Sequence, residues 1–290
     1  MLKDNDVSLA VIIPVFVVTQ ESRDFLLRAL DSISKQNRAP DEVILSLDFP
    51  KSSDPFFEEI RAKFPGIPIR VIDNERGAGI STNSNFGISA SSGTLIHVLH
   101  QDDWLINPDA YSQIIQEHRA APNSFWLLTA RRLGEDISPT FDCTALLGNN
   151  RFGGPSGVIF PQAPGVRFNE KLSMLCDVEL VYRLIQDSVV PRIIVNPSIE
   201  YGVSQDQAQN HIGVQEFRSE LNLVFSQNKI HRLHLLILAI SRYPPQAAYG
   251  ILKNLETVTN RPLLKILIKS AYFYCRIIIS FKKILLKDNS

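Results

Sequence analysis

The sequence predicts an α/β fold: a mostly parallel central sheet flanked by helices, with a helical C-terminal extension. Three observations predict it. Strand and helix patterns alternate through the first half of the chain, which implies parallel strands joined by helical crossovers. The first strand, Val7–Val18, is a nearly continuous run of Val, Ile and other apolar residues, as a strand buried on both faces requires. From about Val214 the pattern turns to helical segments with no strand between them.

The elements follow in order. Glu21–Gln36 places Phe25, Leu26, Leu30 and Ile33 at helical spacing. Glu42–Leu47 is a second strand, and Asp54–Phe64 a helix with Pro55 in its first turn. Pro68–Ile72 is a third strand, Gly79–Ser91 a helix and Thr94–Leu99 a fourth strand. Asn107–Arg119 reads as a helix capped by Asn107 with Pro108 at its first position. Phe125–Ala130 is another strand. The middle of the chain, about 131–209, is less regular. It holds Gly153-Gly154-Pro155-Ser156-Gly157, a short strand Val158–Phe160 and a helix from Asp177 to about Gln186. The expected division is an α/β domain over 1–212 and a helical region over 213–290.

Composition narrows the function classes. Of the 290 residues 44% are hydrophobic and 21% charged, enough apolar side chain for a sizeable core, which argues against disorder. Thirty Lys and Arg balance thirty Asp and Glu, so bulk positive charge does not point to a nucleic-acid partner. Cys143, Cys176 and Cys275 are far apart and form no C-x-x-C, as expected of incidental thiols in a reducing compartment. The apolar run near the N-terminus follows Asp4, Asn5 and Asp6 and ends at a proline with no small-residue cleavage site. It does not read as a signal peptide, and cytosolic residence is the expectation.

In parallel α/β sheets ligands bind at the carboxyl ends of the strands. Asp48 follows the second strand, Asp73 the third, and Asp102-Asp103 the fourth. Asp48 and Asp73 singly are equally well explained by turn and capping chemistry. Two adjacent carboxylates directly after an apolar strand repel each other unless a cation lies near them. Hard oxygen ligands there suit Mg²⁺ or Mn²⁺, which bridge carboxylates to a diphosphate.

These pieces, in this order, resemble glycosyltransferase family 2, the nucleotide-sugar-dependent transferases of GT-A fold. The resemblance covers about 7–212. It is carried by Ile12-Ile13-Pro14-Val15-Phe16, by Asp41–Asp48, by Asn74-Glu75-Arg76-Gly77 and by Asn85-x-Gly87. It continues in His100-Gln101-Asp102-Asp103-Trp104 and in Phe168–Leu172 ahead of Asp177-Val178-Glu179-Leu180. The resemblance implies an inverting transfer of a sugar from a nucleoside diphosphate-sugar to a hydroxyl acceptor, with a divalent cation.

It also implies roles for residues. Pro14, Val15, Phe16 and Asp48 would hold base and ribose, with Asp48 accepting from a base N–H. Arg76 would lie near the diphosphate, as suits a guanidinium, and Asn85 belongs to the same donor site. Asp102 and Asp103 would bind metal, and His211 falls where some members place a further ligand. The family has Asp where this chain has His100, which would meet the ribose or the metal as a neutral imidazole. Asp177 would be the general base; the family's neighbouring acid is replaced by Cys176. Pro155 and Ser156 would floor the acceptor pocket, with Trp104 packed beneath the acidic turn. His97, on the strand itself, reads as a core residue.

The C-terminal segment explains the neutral average. Residues 261–290 hold seven Lys or Arg and one Asp, a net of +6; the rest of the chain carries −6. Lys265, Lys269, Arg276, Lys283 and Lys287 share one side of a helical wheel, within about 40° of each other. Leu263, Leu267, Tyr274, Ile278, Phe281 and Leu285 lie opposite. Charges recur too often for a membrane span. The make-up fits a helix lying on an anionic membrane surface, or one packed on a protein partner, including a second copy of the chain. By analogy with the family, the acceptor is a lipid-linked glycan at the inner membrane face, in bacterial surface polysaccharide (O-antigen or capsule) assembly. Two other classes stay open: a catalytically degenerate binding protein that keeps the fold, and a nucleotidyltransferase, which no Gly-rich signature near the N-terminus favours.

Overall fold

The computed structural model describes residues 7–16, 19–48, 52–75, 79–140, 143–147, 150, 153–203, 213–228, 230 and 232–287. The chain forms two compact units, one of residues 1–140 and 151–210, the other of residues 141–150 and 211–290.

The first unit is built on one sheet. Its elements in chain order are β1 (Leu9–Val15), α1 (Gln20–Ser34), β2 (Glu42–Leu47), α2 (Pro55–Lys63), β3 (Ile69–Asp73), α3 (Ile80–Ala90), β4 (Leu95–Val98), β5 (Trp104–Leu105), α4 (Ala110–Ala120), β6 (Ser124–Arg132), β7 (Glu135–Ile137), β8 (Val158–Pro161), α5 (Cys176–Gln186) and β9 (Val190–Glu200). The strand order is β3-β2-β1-β4-β8-β6-β9-β5, with β7 on β6. The expected parallel arrangement holds for β3-β2-β1-β4 and for β6 with β9. The sheet as a whole is mixed, because β8 runs antiparallel to both β4 and β6, and β5 antiparallel to β9.

Every residue of β1 is buried, as its unbroken apolar run requires. Leu9, Val11, Ile13 and Val15 share a core with Leu26, Leu30 and Ile33 of α1 and with Tyr111 and Ile114 of α4. Ile12 faces the other side, where Gly87 of α3 comes so close that a Cβ would sit 2.4 Å from the isoleucine methyl. The Asn85-x-Gly87 pattern therefore contains a packing requirement: only glycine lets this helix lie on this strand.

Two differences from the sequence expectations are informative. Helix α4 begins at Ala110, not Asn107. The Asn107 side chain accepts from the Asp109 amide at 3.0 Å and its carbonyl accepts from Gln36 at 2.8 Å, a turn that holds the chain out of the helix for three residues. Strand β9 contains Pro191 and Pro197, which in sequence read as breakers. Pro197 falls at the register shift opposite Leu128 to Ala130, where the ladder is interrupted, and Pro191 is the second residue of the strand.

The second unit comprises a 3₁₀ turn at Cys143–Leu147 and the helices α6 (Val214–Gln227), α7 (Arg232–Arg242), α8 (Pro245–Thr257) and α9 (Pro262–Lys287). Asn254 donates to the Leu147 carbonyl at 2.7 Å and ties the turn to α8. Tyr249 of α8 stacks on Tyr272 of α9, with ring centroids 4.6 Å apart. Ile268 and Cys275 are the buried stripe of α9, while Leu263, Ile266, Leu267 and Phe273 are exposed. Lys265, Lys269 and Arg276 are exposed as well. Among the described residues no helix is long and apolar enough to cross a membrane.

Candidate active site

The site lies where the strands of the parallel half end. The ladder between β1 and β4 stops at Ile12 and Val98, so the two strands separate just before Pro14, whose missing N–H costs no bond on that edge. Beyond the split, Gln101 grips the end of β1 reciprocally. Its Oε1 accepts from the Phe16 amide at 2.8 Å and its Nε2 donates to the Phe16 carbonyl at 3.0 Å. Pro14 and Val15 are buried in β1, and the Phe16 ring is exposed.

Arg28 of α1 reaches under the acidic turn. Its guanidinium lies 3.6 Å from the centre of the Trp104 ring and donates to the Asp102 carbonyl at 2.9 Å. Burial lowers the Arg28 pKa, against the raising effect of Asp102, Asp103 and Glu200. A guanidinium stays charged under such shifts, so a fixed cation lies beneath two carboxylates. Trp104, half-buried, is the plate on which that cation rests.

Asp103 is buried, and Gly202 donates its backbone N–H to Oδ1 at 2.9 Å. Ser156, fully buried, hydrogen-bonds the same carboxyl, and its Oγ accepts from the His100 amide at 2.9 Å. Burial, reinforced by the charge of Asp102, pushes the Asp103 carboxyl up to about 8, although Ser156, Gly202 and Arg28 pull the other way. Ser156 is held from behind by His97, whose Nε2 lies 2.8 Å from the Ser156 carbonyl and whose Nδ1 lies 2.9 Å from the Tyr111 hydroxyl. A carbonyl only accepts, so the proton is on Nε2 and Nδ1 accepts from Tyr111. Burial brings this imidazole down to about 4. Ser156 therefore props up the acidic turn, while Pro155 opens the short 3₁₀ turn that carries it.

Three polar atoms in this region are buried without a hydrogen-bond partner: Arg28 Nε, Asp48 Oδ1 and His100 Nε2. The other oxygen of Asp48 accepts from the Gly79 amide at the start of α3, at 3.3 Å. Burial raises the Asp48 carboxyl and lowers the His100 imidazole, which is neutral at neutral pH. The ligand atoms of His100, Asp102 and Asp103 lie within 4.8 Å of one another. Carboxylate oxygens joined by a neutral imidazole with an unused nitrogen form a donor set that fits a divalent cation.

Asp177 is buried in the first turn of α5, where Oδ1 accepts from the Val178 amide at 2.8 Å. The Tyr201 phenol connects this helix to the acidic turn. Its oxygen accepts from the Gly154 amide at 3.2 Å, and its pKa is raised first by burial, then by the charges of Asp103 and of Asp177. Glu179, also buried, faces away and pairs with Arg183 at 2.8 Å. Asn85 differs from its expected place. Its side chain is buried, accepts from the Phe168 amide at 2.8 Å and donates to the Phe168 carbonyl at 2.9 Å and to Glu170 at 3.0 Å. Its amide thus staples α3 to the segment ahead of Asp177. Arg76 and His211 lie outside the described residues. Arg28, Tyr201 and Gly202 are absent from the sequence reading, and Gln101 enters it only within the His100–Trp104 motif.

The parallel strands β1 and β4 thus split just ahead of the acidic turn that carries His100, Asp102 and Asp103. Residues 10–141 match the sequence model of Glycosyl transferase family 2. That match covers a little under half of the chain. A curated relative, the uncharacterized glycosyltransferase YwdF of Bacillus subtilis (strain 168), is 33% identical over 92 residues, which is 32% of this chain. The match spans about a third (33%) of that relative's length. Among solved structures, S. aureus TarS 1–349 in complex with UDP-GlcNAc aligns with a TM-score of 0.63 at 13% identity, over 96% of this chain and 92% of that one. The mannosyltransferase PcManGT from Pyrobaculum calidifontis, in complex with GDP-Man and Mn²⁺, aligns with a TM-score of 0.59 at 13% identity, over 96% and 84%. At such identities the likeness concerns the fold.

Proposed function

We propose that this protein transfers a sugar from a nucleoside diphosphate-sugar to a hydroxyl acceptor, with inversion at the anomeric carbon. The observation that carries the reading is the His100–Asp102–Asp103 group at the split between β1 and β4, within a family 2 segment. The UDP-GlcNAc and GDP-Man complexes of the structural neighbours support the donor class. The unpartnered Asp48 Oδ1 accepts a base N–H, beside Pro14, Val15 and Phe16. Arg76 approaches the diphosphate. His100, Asp102 and Asp103, with His211 as a further candidate, hold a divalent cation, Mg²⁺ or Mn²⁺. A cation held there would offset the charge of a departing diphosphate.

Asp177 takes the proton of the acceptor hydroxyl onto a carboxylate oxygen. The hydroxyl oxygen bonds to the anomeric carbon as the bond to the diphosphate breaks, on the opposite face. The helix N-terminus favours the carboxylate form that a base needs. Pro155 and Trp104 lie toward the acceptor. The exposed apolar and basic residues of α9 support a peripheral contact with the inner membrane face, and so a lipid-linked glycan acceptor in surface polysaccharide assembly.

A second reading, a nucleotide-sugar-binding protein without transfer, draws on His100 and Cys176 standing where the family has acids. Donor turnover separates the two. Thermal-shift screening of nucleotide-sugars with Mn²⁺, followed by assay of donor hydrolysis, is expected to give a stabilising donor that is also consumed. Binding without consumption would favour the second reading. Loss of turnover in Asp102→Ala with the fold intact is the accompanying expectation.

A further inference from the structure

We infer that His100 binds the divalent cation directly through Nε2, and that the site therefore takes a borderline transition ion, Mn²⁺ or Co²⁺, in preference to Mg²⁺. The inference deepens the proposed function and rests on its diphosphate site.

The first argument is the orphaned nitrogen. His100 Nε2 is buried with no hydrogen-bond partner. A buried, unsatisfied polar atom costs about 1–3 kcal/mol. His118 also buries an unpartnered nitrogen, but its ring packs edge-on against Trp126, with centroids 5.0 Å apart, and it belongs to no such ligand group among the described residues. The adjoining carboxylates distinguish His100 from it, and Arg28 Nε, unpartnered in the same turn, belongs to a guanidinium that has no lone pair to offer an ion.

The second argument is geometric. Ligand atoms bound at about 2.0–2.3 Å lie at most about 4.6 Å apart across the ion. One ligand atom from each of His100, Asp102 and Asp103 lies within 4.8 Å of the other two, close to that span. His100 is also braced, through its amide bond to the fully buried Ser156 hydroxyl, which His97 fixes from behind.

The third argument is the balance of donors. Asp103 spends Oδ1 on Gly202 and accepts from Ser156 as well. The imidazole of His100 therefore puts a nitrogen into a small set of carboxylate oxygens. Mg²⁺ prefers an all-oxygen octahedron and sheds water reluctantly. Imidazole shifts affinity along the series toward Mn²⁺, Co²⁺ and later ions.

The test is pulsed electron paramagnetic resonance of Mn²⁺ added to the full chain with UDP or GDP. The wild type is expected to show the ¹⁴N coupling of a directly bound imidazole. His100→Asp should keep Mn²⁺, lose the coupling, and narrow the Mn²⁺ over Mg²⁺ affinity ratio by about tenfold or more. If His100→Asp fails to fold by circular dichroism, His100→Gln supplies the same comparison. Mn²⁺ bound with the nucleotide but without nitrogen coupling would overturn the inference and leave the proposed function standing. Coupling that persists in the variant would assign the nitrogen elsewhere and also overturn it. Failure to bind Mn²⁺ with either nucleotide would remove the diphosphate site itself, and the inference with it.

Discussion

Gly202 donates its backbone N–H to Asp103 Oδ1 at 2.9 Å, joining residues 99 positions apart in the chain. The bond brackets the acidic turn to the end of β9. A Cβ on Gly202 would lie 2.1 Å from the Asp102 carbonyl oxygen, so the turn and the strand end cannot both keep their places if it is replaced. Gly202→Ala is expected to destabilise the protein by about 1–3 kcal/mol. It should also reduce the thermal shift given by UDP or GDP with Mn²⁺. A variant as stable and as responsive as wild type would show that the bracket does not set the turn.

Arg28 supports the same turn from below, through its stack on Trp104 and its bond to the Asp102 carbonyl. Arg28→Ala is expected to lose about 1–2 kcal/mol in urea denaturation. Arg28→Lys should recover little, since an ammonium cannot lie flat on the indole while donating sideways. Full recovery by lysine would reduce the role to bare charge.

His97 gives the stability curve a pH signature. Its pKa is lowered from 6.5 to about 4, so the native state favours the neutral ring. For a depressed pKa the contribution is complete above about 6.5 and is lost as pH falls through about 4, a change of about 3 kcal/mol. Asp103, raised to about 8, acts in the opposite sense and loses its contribution as pH rises from about 4 toward 8. The measurement is therefore a difference: His97→Gln against wild type, by thermal melts from pH 4 to 7. The wild type should lose stability relative to the variant on acidification, and parallel curves would contradict the assignment.

Asp177→Asn tests the base. Removing a positioned general base is expected to lower kcat about 10²–10⁴-fold. Because Asp177 lies on α5 and outside the His100, Asp102 and Asp103 group, nucleotide-induced stabilisation should persist. Transfer at the wild-type rate would remove Asp177 from the mechanism.

The exposed side chains of α9 predict binding to anionic vesicles. Lys265→Gln with Lys269→Gln should weaken sedimentation with phosphatidylserine vesicles by about 1 kcal/mol per charge, and added salt should do the same to wild type. Phe273→Ser is expected to weaken it independently of salt. Vesicle binding unchanged in all three would point to a protein partner for this face.

The chain order of strand-end residues made much of the site legible before any coordinates. Asp48, His100, Asp102 and Asp103 follow apolar strands whose burial is written in their composition, and Asp177 opens an amphipathic helix. What stayed hidden was what fixes them. Arg28 is a helix cation like any other until Trp104 lies flat against it. Asn85 reads as a donor-site residue until its amide is seen to be used by Phe168 and Glu170. Strand β9 was masked by Pro191 and Pro197, because local propensity speaks against a strand that only pairing with β6 stabilises.

The sequence by itself determined the alternation of elements, the buried character of β1 and the concentration of acids at the carboxyl ends of strands, since these depend on local periodicity and short-range turn chemistry. Tertiary structure alone decided the mixed sheet, the closure of Gly202 onto Asp103, the support of the acidic turn by Ser156, His97 and Arg28, and the unused nitrogen of His100. Each of these joins residues brought together by long-range folding, and hydrogen-bond satisfaction in a buried site is a property of the whole assembly of neighbours.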